Sequence, residues 1–260
     1  MLKGKNAIVT GSSSGIGLGI ATAFAGLGMN VLMNGIEPAK QVEAEREKLE
    51  KEHGTKLLYR QADMTKPQEI RELVQFGEIS LGQVDVLVNN AGIQFVSPIE
   101  DFPEDKWDAI IATNLSSAFH TIKAALPGMK QRGWGRIVNT ASTHGLIASP
   151  YKSAYAAAKH GIVGMTKAVA LEAAEFGVTV NAICPGYVWT PLVAKQIPDT
   201  AKARGISEQE VIDKVMLGGQ PTRKFVTIEE VAELVCYLCR DSAGSITGAS
   251  MVIDGGWTAQ

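Results

Sequence analysis

The sequence predicts one α/β domain, a doubly wound parallel sheet of about seven strands held between two helical layers in a three-layer sandwich. Three observations predict it. Short β-branched runs alternate with longer stretches of helical periodicity along the whole chain. No internal repeat, low-complexity tract or linker interrupts the alternation. A glycine-rich turn joins the first strand directly to the first helix.

Taken in order, the first half offers strands at Asn6–Thr10, Asn30–Asn34, Lys56–Arg60 and Val84–Asn89. Helices are expected between them at Gly15–Leu27, Pro38–His53 and Lys66–Leu81. In the first helix Ile16, Ile20, Phe24 and Leu27 recur at helical spacing and make one apolar face. The Lys40–His53 stretch carries charge on most faces, so it reads as a solvated helix laced by Glu/Lys pairs. Pro103 to Gln131 predicts one long, broken helical region, followed by a strand at Arg136–Ala141. A helix from about Ser153 to Phe176 and a strand at Val178–Cys184 come next. Residues 187–225 are less regular, with Pro191, Pro198, Pro221 and the pair Gly218-Gly219, and are expected to form a small lid over a substrate. Thr227 followed by Glu230 has the form of a capping box opening a helix to Arg240. The last strand is Ala249–Asp254.

Composition narrows the function classes. Hydrophobic residues make up 45% of the 260 and charged residues 20%, enough for a core and unlike a disordered chain. The formal net charge is -2 and the basic residues are dispersed, which argues against nucleic acid as a partner. Three cysteines imply no disulfide framework and a reducing, cytoplasmic setting. No secretory signal precedes the first strand, and the apolar run Val231–Cys239 contains Glu233 and is too short to span a bilayer. Cys236 and Cys239 fall inside a helix with no second pair, so they read as small buried residues and no metal is expected. Cys184 reads the same way.

The turn Thr10-Gly11-Ser12-Ser13-Ser14-Gly15-Ile16-Gly17 follows a strand and opens a helix. Missing side chains at Gly11, Gly15 and Gly17 let the backbone approach a pyrophosphate, whose charge then meets a helix N-terminus. The spacing is Gly-x-x-x-Gly-x-Gly, so the commoner Gly-x-Gly-x-x-Gly fingerprint is not satisfied. The second strand ends at Asn34-Gly35-Ile36-Glu37, which holds no arginine or lysine for a 2′-phosphate. NAD is therefore expected over NADP; Lys40 is the nearby cation, and Glu37 is open between a ribose contact and a solvated side chain.

The stretch Ser142 to Lys159 carries the candidate chemistry. Tyr155 and Lys159 are four apart and share a helix face. An ammonium beside a phenol favours the phenolate and lowers the tyrosine from its free value of about 10. Such a phenol can exchange a proton with an alcohol or carbonyl, and Ser142 can hold the same oxygen.

Asn89-Asn90-Ala91-Gly92, Asn114, Ser142, Tyr155 with Lys159, and Pro185-Gly186 stand in fixed order. On these motifs the chain resembles the short-chain dehydrogenase/reductase family over essentially its full length. The resemblance implies a Rossmann-type fold, a nicotinamide cofactor and a tetrad of Asn114, Ser142, Tyr155 and Lys159. It makes Tyr155 the general acid/base and Ser142 the holder of the substrate oxygen. Lys159 would bind the nicotinamide ribose, and Asn114 a proton-relay water. It also implies adenine contact at Asp63, carboxamide contact at Thr190 and a pocket floor at Asn90. Further cofactor contacts are implied at Ser13, Ile36, Met64, Gly92 and Val188, besides the glycine loop and Pro185-Gly186. Family members are commonly homotetramers, packed through the helix near Asn114 and the Tyr155 helix.

Around Ser142 and the insert, His144 and Lys152 offer two possible cations, and Gln94 and Gln196 two amides; Trp257 closes the chain. That set suits a small carboxylate. With Tyr155 these residues resemble the substrate positions of a family branch that interconverts (R)-3-hydroxybutyrate and acetoacetate with NAD. Tyr187 stands where that branch often carries tryptophan. A reductase of 3-oxoacyl groups on a carrier protein is the enzymatic rival, and would want NADP and a basic docking surface. A non-catalytic dinucleotide-binding protein would not need Ser142, Tyr155 and Lys159 together.

Overall fold

Alternate residues of each central strand face opposite helical layers, and this period of two organises the core. In the computed structural model, which describes residues 2–259, Ala7 and Val9 of β1 (Asn6–Val9) join one apolar cluster, while Ile8 between them joins the other. The same division holds in β2 (Asn30–Gly35), where Val31 and Met33 face one way and Leu32 the other. β3 (Leu57–Gln61), β4 (Val86–Asn89), β5 (Gly135–Thr140), β6 (Val178–Pro185) and β7 (Ser250–Ile253) complete the sheet.

All the pairings are parallel and the order is β3-β2-β1-β4-β5-β6-β7. The chain runs outward through β2 and β3, then returns to the other side of β1 as β4. That reversal opens a crevice beyond the carboxyl ends of β1 and β4, where ligands settle in sheets of this kind. The molecule is thus a single doubly wound α/β domain with a seven-stranded parallel sheet.

One layer is built by α1 (Gly15–Gly26), α2 (Ala39–His53) and α8 (Ile228–Cys239), which share a cluster with Phe24, Val231 and Val235. The other is built by α3 (Pro67–Leu81), α5 (Ser117–Arg132) and α6 (Ser153–Ala173). α2 is solvated as its charge pattern predicts: it buries Val42 and Leu49, while Arg46 bridges Glu43 and Glu50 at 2.6 Å each. α8 starts on a complete capping box between Thr227 and Glu230.

Several boundaries differ from expectation. The third strand starts at Leu57 because the Lys56 N–H goes to the Asn30 side chain instead of the ladder. The broken helical region expected over Pro103 to Gln131 consists of α4 (Glu104–Ile111), a wide five-residue turn at Ala112–Ser116, and α5. Wide turns of this type recur at functional sites, and this one carries Asn114. The insert is more regular than its prolines suggest. Pro191 takes the first position of α7 (Pro191–Arg204), where a missing N–H costs nothing, and the Thr190 hydroxyl caps that helix. A second helical run follows over 208–219.

Candidate active site

The glycine turn lies at the crevice. A Cβ on Gly17 would sit on the Gly11 carbonyl oxygen and strike Asn90 Nδ2, so only glycine lets helix α1 start this close to the turn. Asn90 closes the floor, donating to the carbonyls of Thr10 and Gly11 at 3.0 and 3.1 Å. Ser12 braces the turn from within, donating to the Val9 carbonyl and accepting from the Asn34 N–H. The first turn of α1 holds no acidic side chain and no side-chain cap, so its amides are open to an anion.

At the end of β2, Glu37 Oε2 is buried with no hydrogen-bond partner among the described residues. It lies against Gly35, with Ser13 Oγ and the Tyr59 hydroxyl at the same spot. Burial first, then the Glu37 charge, push Tyr59 up to about 12. The cradle and the unmatched oxygen both fit a dinucleotide: backbone amides for its phosphates, an acceptor for a ribose hydroxyl.

Farther along the same crevice β5 ends at Thr140, and the chain passes through Ser142 into a short turn at Thr143–Gly145. Tyr155 and Lys159 both line one cleft with Ser142, His144, Lys152, Tyr187, Gln196 and Trp257. Gly11, Gly15, Ile16, Asn90, Gly92, Pro185, Gly186, Val188 and Thr190 line it as well. The expected residues Ser13, Gly17, Ile36, Asp63, Met64, Gln94 and Asn114 do not. Ile36 is exposed, and Asp63 spends its carboxylate on the Thr65 N–H and hydroxyl, which hold its pKa down. Asn114 exchanges two hydrogen bonds with the Ile93 backbone, at 2.8 and 2.9 Å. Both amide atoms of Gln94 are buried without a partner among the described residues.

Two charge states differ from the expected ones. Tyr155 is not lowered: burial pushes it up to about 12, with the Ser142 hydroxyl pulling the other way. Lys159 does not stand at the phenol oxygen as expected: its Nζ donates to the Thr140 carbonyl at 2.6 Å and lies 5.4 Å from the centre of the tyrosine ring. Burial in turn lowers Lys159 to about 8. His144 is not a cation either. Burial, reinforced by the Lys152 charge, takes it down to about 3, so the imidazole is neutral, with Nε2 2.9 Å from Ser149 Oγ.

That leaves one cation at the substrate end. Lys152 is buried, and its Nζ donates to the Tyr187 hydroxyl at 3.0 Å and to Gln196 Oε1 at 3.3 Å. Both are neutral oxygens, and no carboxylate pairs with this ammonium among the described residues. Trp257 forms the wall, stacked on Tyr187 at 5.5 Å and edge-on to His144 at 5.4 Å. A Cβ on Gly219 would enter the Trp257 ring, so glycine there lets the lid lie flat on the indole.

A family model described as enoyl-(acyl carrier protein) reductase matches residues 11–258. The D-beta-hydroxybutyrate dehydrogenase of Rhizobium meliloti is 57% identical over 98% of this chain and 99% of that protein. Its counterpart from Cupriavidus necator is 53% identical over 100% of both. The chain belongs to the short-chain dehydrogenase/reductase family. A crystal structure of an actinorhodin polyketide ketoreductase variant with NADPH shares the fold, with a TM-score of 0.91, 37% identity and 98% of each chain covered. As a member of this family the chain is an oxidoreductase that uses a nicotinamide dinucleotide.

In this short-chain dehydrogenase/reductase, Thr140 and Ser149 contribute without any signal in the sequence, while Glu37, open there between a ribose contact and solvent, has one oxygen buried. Thr140 acts through its backbone carbonyl, which no side-chain pattern reveals. Ser149 lies five residues beyond His144 in an irregular loop, where spacing predicts no contact.

Proposed function

We propose that this enzyme interconverts (R)-3-hydroxybutyrate and acetoacetate, with NAD as its cofactor. The observation that carries the reading is Lys152: a buried ammonium facing neutral oxygens calls for an anion, and a small carboxylate supplies one. The names of the two relatives that match over their full length support the same substrate. Because His144 is neutral, the substrate end carries a single positive charge and one carboxylate balances it.

The residues divide the work. Tyr155 takes the hydroxyl proton while the Ser142 hydroxyl holds the same oxygen. Lys152, with Gln196, anchors the carboxylate, and Trp257 and Tyr187 keep water from the reacting carbon. A nicotinamide dinucleotide held by its phosphates in the glycine cradle at Gly11, Gly15 and Gly17 would supply the hydride acceptor. Helix α7 covers the site from Thr190 to Gln196 and serves as its lid.

NAD is favoured over NADP by Glu37. Its buried, unmatched oxygen suits a ribose hydroxyl and repels a 2′-phosphate, and the nearby Lys40 is exposed. The deciding assay follows reduced-nicotinamide absorbance with (R)-3-hydroxybutyrate and each cofactor. NAD is expected to give the higher kcat/KM by about a hundredfold, the scale of a few kcal/mol of charge repulsion. A preference for NADP overturns the cofactor reading, and no activity with either overturns the substrate.

The two perturbed groups fix a pH dependence. Below about pH 8 both Lys159 and Tyr155 keep their protons, so the site can only donate one. Oxidation must instead accept a proton, so its rate rises as pH passes upward through about 8 and reduction falls. Rate measurements in both directions from pH 6 to 10 check this; flat profiles would remove the titrating pair from the chemistry.

A further inference from the structure

Tyr187 is held more firmly than a pocket wall requires. It stands two residues past the end of β6; its N–H donates to Gln220 Oε1, and its carbonyl accepts from the Val226 N–H at 2.9 Å. Gln220 is itself fully buried and donates onward to the Lys224 carbonyl. The Tyr187 ring lies 17° from parallel to Trp257 and edge-on to His144 at 6.5 Å. Backbone and ring are fixed, so the phenol oxygen has one position.

At that position it accepts from Lys152 at 3.0 Å, with the ammonium 5.0 Å from its ring centre. The other acceptor, Gln196 Oε1, belongs to α7, and its amide nitrogen is tied to the Leu192 carbonyl of the same helix. One hold on the ammonium therefore comes from the sheet edge and the other from the lid. An ammonium has three donors, so two protein acceptors leave one donor for a ligand.

The geometry points to Tyr187 as the positioning residue for carboxylate recognition: its hydroxyl aims the Lys152 ammonium at the substrate's carboxylate. Lysine has a flexible four-carbon stem, and a receptor is strong only when its donor waits in place. Gln196 is tied to its own helix, whereas the phenol is fixed by the contacts of Tyr187 with Gln220, Val226 and Trp257, so the phenol is the more firmly placed of the two acceptors. The residue acts through Lys152 and not on the reacting atoms. This inference rests on the carboxylate reading above and deepens it.

The test is Tyr187→Phe, which keeps the ring, its stack on Trp257 and the backbone ties, and loses only the hydroxyl. Kinetics are compared for 3-hydroxybutyrate and for its methyl ester, which has the same carbon skeleton without the charge. The expected result is a KM for the acid raised about tenfold, the scale of one hydrogen bond to a charged group. In the same variant kcat, and KM for the ester, move less than twofold. Equal rises for acid and ester make Tyr187 a wall and overturn the proposal. An unmoved KM for the acid, in a protein where Lys152→Ala raises it, also overturns the proposal and leaves the carboxylate reading standing. An unmoved KM in both variants overturns the carboxylate reading with it.

Discussion

Tyr155→Phe lowers kcat by about a hundredfold or more, with KM for the hydroxy acid changed only a few-fold. The substitution keeps the ring that packs edge-on to His144 at 6.0 Å, so the site retains its shape. What disappears is the phenol oxygen that hydrogen-bonds the Ser142 hydroxyl in the cleft. General acid/base catalysis by a positioned group contributes at least about a hundredfold. The resting proton agrees with the proposed role: with Tyr155 near 12, the phenol would meet a keto substrate as a donor and would have to be unloaded before accepting a proton from the alcohol. Lys159, near 8 and fixed to the Thr140 carbonyl, is the neighbour whose proton leaves first. Steady-state rates of the variant in both directions decide the matter. Turnover close to that of the parent enzyme would mean that another group moves the proton.

Lys152→Ala raises KM for 3-hydroxybutyrate about thirtyfold or more and leaves KM for NAD within about twofold. Removing one partner of a buried charge pair costs at least about 2 kcal/mol, or a factor of about thirty in affinity. The loss falls on the acid because the Lys152 side chain meets Tyr187 and Gln196, while the dinucleotide cradle is built at Gly11, Gly17 and Asn90. The change strands no carboxylate among the described residues, since the ammonium's partners are the neutral oxygens of Tyr187 and Gln196. An unchanged KM for the acid would detach Lys152 from the carboxylate and return the substrate class to an open question.

Much of this arrangement is legible in the order of residues. The parallel sheet follows from strands alternating with helices, and the cradle from glycines placed between one strand and one helix. The solvated character of α2 and the Thr227–Glu230 cap are local properties that residue type and spacing determine. The site yields less completely. That His144, Lys152, Tyr155 and Gln196 meet at one cleft rests on motif order, but their protonation states rest on burial, which spacing does not reveal. A histidine near a lysine reads as a second cation until the packing around it is known. Likewise an i,i+4 lysine reads as a depressor of the tyrosine until its ammonium is found on the Thr140 carbonyl. The wide turn at Asn114 and the helices of the insert escaped for a related reason: a π-type turn has no composition of its own, and proline at a helix start looks like proline in a loop.

Trp257 comes after every strand of the sheet, yet its indole is the wall that Tyr187 and His144 lean on. The dinucleotide cradle comes from the turn after the first strand and this wall from residue 257, so the chamber for hydride movement closes only when two distant parts of the chain have folded against each other.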